Sequence, residues 1–144
     1  MPTRSASAHW SGPLSDGSGS VSTETSALDG VPYSFDTRFG DSTQGTNPEE
    51  LLGAAHAGCF TMQLSHMLAE AGHPPESADT TAKVNVKRVD GGFEIDTIDL
   101  TLTATVPGIS EDEFQRIATE AKENCPLSKV LRAAEISLDA TLQS

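Results

Sequence analysis

Two cysteines, Cys59 and Cys125, are the side chains of this sequence best suited to covalent chemistry. Most free cysteines behave as small buried hydrophobic residues, and that interpretation stays open for both. Cys125 directly precedes Pro126, which we expect to begin a short helix, and the amide dipoles at a helix N-terminus favour a thiolate. In a reducing cytosol, disulfides are usually transient and catalytic or redox-sensing. Spacing and residue type alone therefore leave both core packing and redox chemistry open.

A metal site is the second kind of chemistry that the residue types suggest. His56, Cys59 and His66 fall at i, i+3 and i+10, which places them on about the same face of a helix. His66 would nevertheless lie about 10 Å along the helix axis from Cys59. Because zinc bonds are about 2 Å long, one ion cannot bind all three side chains in a straight helix. We therefore expect no metal site.

Composition narrows the range of partners and compartments. The length of 144 residues fits a single domain over residues 1–144. The formal net charge of −12 disfavours binding to nucleic acid or anionic lipid. No stretch approaches the roughly 20 apolar residues that a membrane span needs. Residues 1–9 contain no apolar segment typical of a secretory signal. We therefore expect a cytoplasmic protein that is not associated with a membrane.

The first half of the chain predicts a small meander followed by a long helix. Strands are expected near residues 5–11, 20–27 and 31–38, with Tyr33 and Phe35 on one face of the third, and 40–46 reads as a loop. Asn47 suits a helix N-cap, Pro48 the first turn, and Glu50 the position that can bond back to the cap. This helix should end near residue 71. Its apolar residues cover almost all of its sides, so we expect a second subunit to cover part of it.

The second half predicts two long strands, two helices and a last strand. The strands lie near 80–90 and 92–106, and a phase slip predicts a bulge near Asp96 and Thr97. Ser110 and Glu113 predict a capping box for a helix that ends before Cys125. A short helix to about residue 133 and a strand over 136–142 complete the order βββ-α-ββ-α-β, an α+β fold.

Three separated segments carry distinctive motifs: Thr46–Phe60 around the first cysteine, Asn124–Ser128 around the second, and Tyr33–Phe39 around an arginine. They resemble the motifs of the OsmC/Ohr family of hydroperoxide reductases, and the arginine segment is similar to that of the OsmC branch. The likeness extends over nearly the whole chain. It implies an OsmC-like fold, in which two subunits form an intertwined homodimer whose central buried helices are wrapped by antiparallel sheets.

The resemblance also implies a chemistry. The protein would reduce alkyl and lipid hydroperoxides, and hydrogen peroxide less readily. The resemblance implies that Cys59 is the peroxidatic cysteine and Cys125 the resolving cysteine, and that Arg38 and Glu49 are supporting charges. A lipoyl group or a similar dithiol would restore the thiols, with thioredoxin as the alternative. The implied role is defence against oxidative and osmotic stress, without metal or organic cofactor.

Helix geometry adds one expectation about the supporting charges. Glu50 would lie about 180° from Cys59 around the helix, whereas Glu49 points closer to the cysteine side. Glu49 would still lie about 15 Å from Cys59 along a straight helix. We therefore expect Arg38 and Glu49 to support the reaction of the Cys59 of a partner subunit.

Two other functions compete with a peroxidase: a thiol–disulfide redox sensor, and a noncatalytic binder of apolar ligands.

Overall fold

The computed structural model describes residues 1–143. The chain forms two compact units that divide after Leu51, inside a long helix, and each unit is described by itself. The prediction of a single domain over residues 1–144 stays a prediction. None of the helices among the described residues is long and apolar enough to cross a membrane.

The first unit contains the predicted antiparallel meander. Its strands are β1 (Ala6–Ser11), β2 (Ser18–Thr23) and β3 (Val31–Tyr33), in the order β1-β2-β3. Strand β2 ends earlier than predicted because the backbone N–H of Thr23 donates to the carbonyl of Leu28 at 2.9 Å and turns the chain. The meander is therefore confirmed with shorter strands.

The predicted third strand is wrong beyond Tyr33, because Phe35–Phe39 forms a short helix, α1. Ser34 caps this helix: its hydroxyl accepts from the N–H of Thr37 at 3.2 Å, and the Thr37 hydroxyl accepts from the N–H of Ser34 at 2.8 Å. This reciprocal cap satisfies two backbone donors and outweighs the alternating pattern of the sequence. Tyr33 and Phe35 therefore do not share a strand face, and Arg38 lies in the last helical turn.

Helix α2 runs from Pro48 to Glu70, close to the predicted bounds. Asn47 caps it by accepting from the N–H of Glu50 at 2.7 Å, while the Glu50 carboxylate accepts the Thr46 hydroxyl at 2.8 Å instead of bonding back to the cap. One face is buried, and its members recur every three or four residues: Gly53, His56, Phe60, Leu64 and Leu68. On the other side Met62 is 77% exposed in the single chain, so coverage by a second subunit stays a prediction.

The second unit contains a three-stranded sheet in the order β4-β5-β6. Strands β4 (Ser77–Val89) and β5 (Gly92–Thr105) form an antiparallel hairpin, and the pairing passes from Thr97 to Ile95, so that Asp96 is the extra residue of a bulge. The predicted bulge is therefore confirmed.

Strand β6 (Glu135–Gln143) pairs with β5 in parallel, which corrects the expectation of antiparallel sheets. The reason is the connection. Helices α3 (Glu111–Asn124) and α4 (Pro126–Val130) carry the chain back to the start of the sheet, as a crossover between parallel strands requires. Ser110 caps α3 by accepting from the N–H of Glu113 at 3.2 Å, whereas the Glu113 carboxylate lies 3.9 Å from both His73 and Arg116.

The core of the second unit lies between α2, α3 and the inner face of the sheet. Its largest fully buried side chains come from all three: Phe60, Leu64 and Leu68 on α2, Ile98, Leu100 and Leu102 on β5, and Phe114 on α3. Phe60 therefore belongs to the core. The α+β class is confirmed.

Candidate active site

The structure brings the two cysteines into direct contact, although 66 residues separate them in sequence. The Cys125 thiol donates a hydrogen bond to Cys59 Sγ, with 2.8 Å between the sulfur atoms. Cys125 is fully buried, Cys59 is partly exposed, and both are free thiols. The Cys59 sulfur can therefore contact a small molecule from solvent, whereas the Cys125 sulfur is buried beside it.

Two helix ends hold Cys125 in this position. Its backbone N–H donates to the Ala121 carbonyl at 3.0 Å at the end of α3, and its own carbonyl accepts from the Lys129 N–H at 3.1 Å at the start of α4. Pro126 cannot continue α3 and instead occupies the first turn of α4. Cys59 lies one residue before Phe60, which anchors this turn of α2 in the core.

The surroundings of Cys59 favour the neutral thiol. Burial raises the pKa of Cys59, the neighbouring Cys125 thiol raises it further, and a hydrogen bond from the backbone N–H of Leu127 lowers it in part. The groups responsible for this shift all lie in the second unit. The thiolate is the nucleophilic form, and a nearby positive charge would lower the pKa of Cys59 and favour it.

A second contact joins the same two segments. His56, one turn before Cys59, places Nε2 2.8 Å from Oγ of Ser128, one turn after Cys125. Both side chains are buried, and burial lowers the pKa of His56. The sequence pattern had indicated His56 only as a metal candidate. His66 is exposed, and the described part of the chain contains no group of three His, Cys, Asp or Glu side chains arranged for a metal ion.

Arg38 and Glu49 form a close ion pair within the first unit. The guanidinium Nε lies 3.0 and 3.1 Å from the two carboxylate oxygens, and a terminal nitrogen lies 2.7 Å from one of them. Arg38 is 37% exposed and Glu49 only 11%. The carboxylate thus fixes the direction of the guanidinium, while the prediction that both residues support the reaction of a cysteine stays a prediction.

Arg38 also borders an apolar cavity that the sequence did not reveal. The cavity measures about 280 Å³, and its lining is mainly aromatic: Trp10, Tyr33, Phe35 and Phe39, with Leu14 and Ser34. The Arg38 guanidinium lies 5.0 Å from the centre of the Phe39 ring. The helix α1 creates this arrangement, since it places Phe35, Arg38 and Phe39 on adjacent turns.

A buried thiol in contact with a partly exposed one, on helices that pack against one sheet, is the candidate reactive site of this α+β protein. Comparisons with known proteins show the family of the chain. The family model described as "OsmC-like protein" matches residues 40–140. The chain is 53% identical over 137 residues to "Peroxiredoxin OsmC" of Escherichia coli K12, covering 95% of this chain and 94% of that protein.

More distant relatives carry a related name. An "Organic hydroperoxide resistance protein" of Xanthomonas axonopodis pv. citri is 31% identical over 104 residues, covering 72% of this chain and 69% of the relative. The crystal structure of the organic hydroperoxide resistance protein OhrB of Bacillus subtilis superposes with a TM-score of 0.69 at 25% identity, over 96% of this chain and 98% of that one. The chain belongs to the OsmC-like family.

Proposed function

We propose that the protein is a thiol peroxidase that reduces organic hydroperoxides, and hydrogen peroxide less well, through Cys59. The observation that carries the proposal is the 2.8 Å contact between a partly exposed Cys59 and a buried Cys125. Membership of the OsmC-like family supports it, as do the names of the E. coli and Xanthomonas relatives.

The chemistry proceeds in three steps. The Cys59 thiolate attacks one peroxide oxygen, the O–O bond breaks, and the alkoxide leaves and takes up a proton as the alcohol, so that Cys59 becomes a sulfenic acid. Cys125 then forms an S–S bond with Cys59, and the sulfenic hydroxyl leaves as water with the Cys125 proton. A dithiol such as a lipoyl group reduces the disulfide by two thiol–disulfide exchanges and is itself oxidised.

Arg38 is assigned the charge that Cys59 needs. A guanidinium stays protonated at any working pH, so it can stabilise both the thiolate and the alkoxide that develops on the leaving oxygen. Glu49 aims it through their ion pair. Because Glu49 and Cys59 lie on one helix, about 15 Å apart along its axis by helical rise, we assign this service to the Cys59 of a second subunit. The exposed apolar Met62 on α2 suits a homodimer.

The cavity beside Arg38 supports this substrate class. Its aromatic lining would accept an alkyl or aryl group, while the guanidinium would face the peroxide end. Two free cysteines suit a reducing compartment, so we place the activity in the cytosol, with a role in defence against oxidative and osmotic stress.

Turnover of cumene hydroperoxide with dithiothreitol tests the proposal. The wild-type protein is expected to consume many equivalents, Cys59→Ser to consume none, and Cys125→Ser to complete one oxidation and then slow. Oxidation of one equivalent without turnover would favour a redox sensor instead. A protein whose thiols do not react with the peroxide would be a binder of apolar ligands, and the proposal would be wrong.

A further inference from the structure

The hydrogen bond between His56 and Ser128 forms a second link between the segments that carry the cysteines. His56 precedes Cys59 by one turn of α2, and Ser128 follows Cys125 by one turn of α4. Side chains three residues apart lie on the same helix face. The pair His56–Ser128, at 2.8 Å between Nε2 and Oγ, therefore lies beside the pair Cys59–Cys125, at 2.8 Å between sulfurs.

This link is buried and leaves no alternative partner. His56 is fully buried and Ser128 is 5% exposed. His56 Nδ1 is a buried atom without a hydrogen-bond partner among the described residues, so Ser128 provides the one hydrogen bond of the ring. An unpaired buried N–H is rarer in proteins than an unpaired acceptor, which assigns the proton to Nε2, donating to Ser128 Oγ. The neutral ring agrees with its burial.

The position of Ser128 decides what the link can do. Helix α4 has only five residues, Pro126–Val130, and follows Cys125 directly. So short a helix has little stability of its own, and its placement relies on side-chain contacts. Cys125 is its N-cap and makes no side-chain cap bond. Besides the contacts of Cys125 and of the Leu127 backbone N–H with Cys59, the bond that His56 donates to Ser128 ties α4 to α2.

We propose that His56 and Ser128 are positioning residues that hold Cys125 against Cys59 and so set the rate and equilibrium of disulfide formation. The proposal rests in part on the proposed peroxidase function, because the natural oxidant would be a hydroperoxide. It concerns the second step, in which the S–S bond forms, the S–O bond of the sulfenic acid breaks, and water leaves with the Cys125 proton. Neither residue takes part in the attack on the peroxide.

Equilibration with a glutathione redox buffer tests this without any peroxide. Two glutathione molecules become one glutathione disulfide for each protein disulfide reduced, and alkylation followed by mass spectrometry counts both protein forms. Ser128→Ala should lower the disulfide equilibrium constant about tenfold, because it deletes a buried hydrogen bond and leaves His56 unpaired. Ser128→Thr keeps the hydroxyl, and a cavity of about 450 Å³ beside residue 128 has room for its methyl group, so it should stay within about twofold.

Thr61→Val is the matched control. The Thr61 hydroxyl, also on α2, donates to the Ala57 carbonyl at 2.6 Å and pairs with the Thr80 hydroxyl at 2.7 Å, and it makes no hydrogen bond to α4 among the described residues. Its loss should lower the melting temperature as much as Ser128→Ala does, but leave the disulfide equilibrium within about twofold of wild type. An unchanged equilibrium in Ser128→Ala would overturn the proposal, as would equal losses in Thr61→Val or Ser128→Thr.

Single oxidation by cumene hydroperoxide separates this proposal from the peroxidase assignment. After one equivalent, the wild-type protein should lose two mass units as a disulfide, whereas Ser128→Ala should accumulate a species 16 units heavier, the sulfenic acid, that dimedone traps. Peroxide should disappear at the same rate in both. If the wild-type protein consumes no peroxide, the peroxidase assignment fails, and the glutathione equilibrium alone decides the positioning role.

Discussion

Replacing Glu49 by glutamine tests whether the ion pair orients the Arg38 guanidinium, with little change in side-chain shape. The carboxylate receives three N–H···O contacts of 2.7 to 3.1 Å from one guanidinium, and it is 11% exposed. Glutamine keeps one acceptor oxygen and loses both the charge and the second oxygen. Because Arg38 is 37% exposed, solvent screens the pair, and the free energy of unfolding should fall by only about 1 kcal/mol.

The effect on catalysis should be much larger than the effect on stability. A misplacement of a catalytic group by about 1 Å can slow a reaction about a hundredfold, and Glu49→Gln frees the guanidinium by about that distance. We expect kcat/KM for cumene hydroperoxide to fall about 30- to 100-fold, measured by peroxide loss with dithiothreitol at pH 7.

Glu50→Gln provides the matched control, because it removes the same charge from the next residue of the same helix turn. Glu50 accepts from Thr46 at 2.8 Å, and no ion pair with Arg38 is observed for it among the described residues. Its kcat/KM should stay within about twofold of wild type. Equal losses in the two variants would show that net charge matters and that aim does not, and a fully active Glu49→Gln would refute the role of the ion pair.

Three further predictions concern burial, capping and assembly. Burial lowers the pKa of His56, so the unfolded chain binds a proton more readily, and stability should fall as pH drops below about 6.5; in His56→Gln, thermal melts at pH 7.5 and 5.5 should differ less than in wild type. Ser34→Ala removes the cap of α1 and should lower the free energy of unfolding by about 1 kcal/mol in denaturant titration. It should also lower the activity, because α1 carries Arg38, whereas Ser42→Ala should change neither stability nor activity. Met62→Glu places a charge on the exposed apolar side of α2 and should convert a dimer into monomers in sedimentation velocity, whereas Glu70→Gln should not; a wild-type monomer would contradict the assembly.

Local signals in the sequence were enough to predict several elements. The run Asn47-Pro48 marks the start of α2, and the phase slip beside Asp96 marks the bulge, because both depend on neighbouring residues. The helix at Phe35–Phe39 was missed because the cap between Ser34 and Thr37 competes with an alternating pattern over the same residues. The parallel pairing of β6 depends on the path of α3 and α4, which no local pattern encodes.

The site was less accessible to sequence reasoning than the fold. Spacing could not predict the contact between Cys59 and Cys125, because it forms by tertiary packing over 66 residues; the family resemblance supplied it. The raised pKa of Cys59 was not foreseen, since it follows from burial and from the neighbouring thiol. The partnership of His56 with Ser128, 72 residues away, has no signature in either motif and required the folded structure.

The central claim is that the Arg38 of one subunit stabilises the thiolate and the leaving alkoxide when the Cys59 of the other subunit reacts. A heterodimer of differently tagged Cys59→Ser and Arg38→Met chains tests this most directly, since each parent homodimer lacks one of the two groups. If Arg38 acts across the interface, one of the two sites in the heterodimer is complete, and its kcat/KM should reach about half that of the wild-type dimer. The kcat/KM of the Arg38→Met homodimer should be roughly a hundredfold below that of the wild type. Activity no higher than that of the two parents would place Arg38 and Cys59 in the same chain and contradict the account.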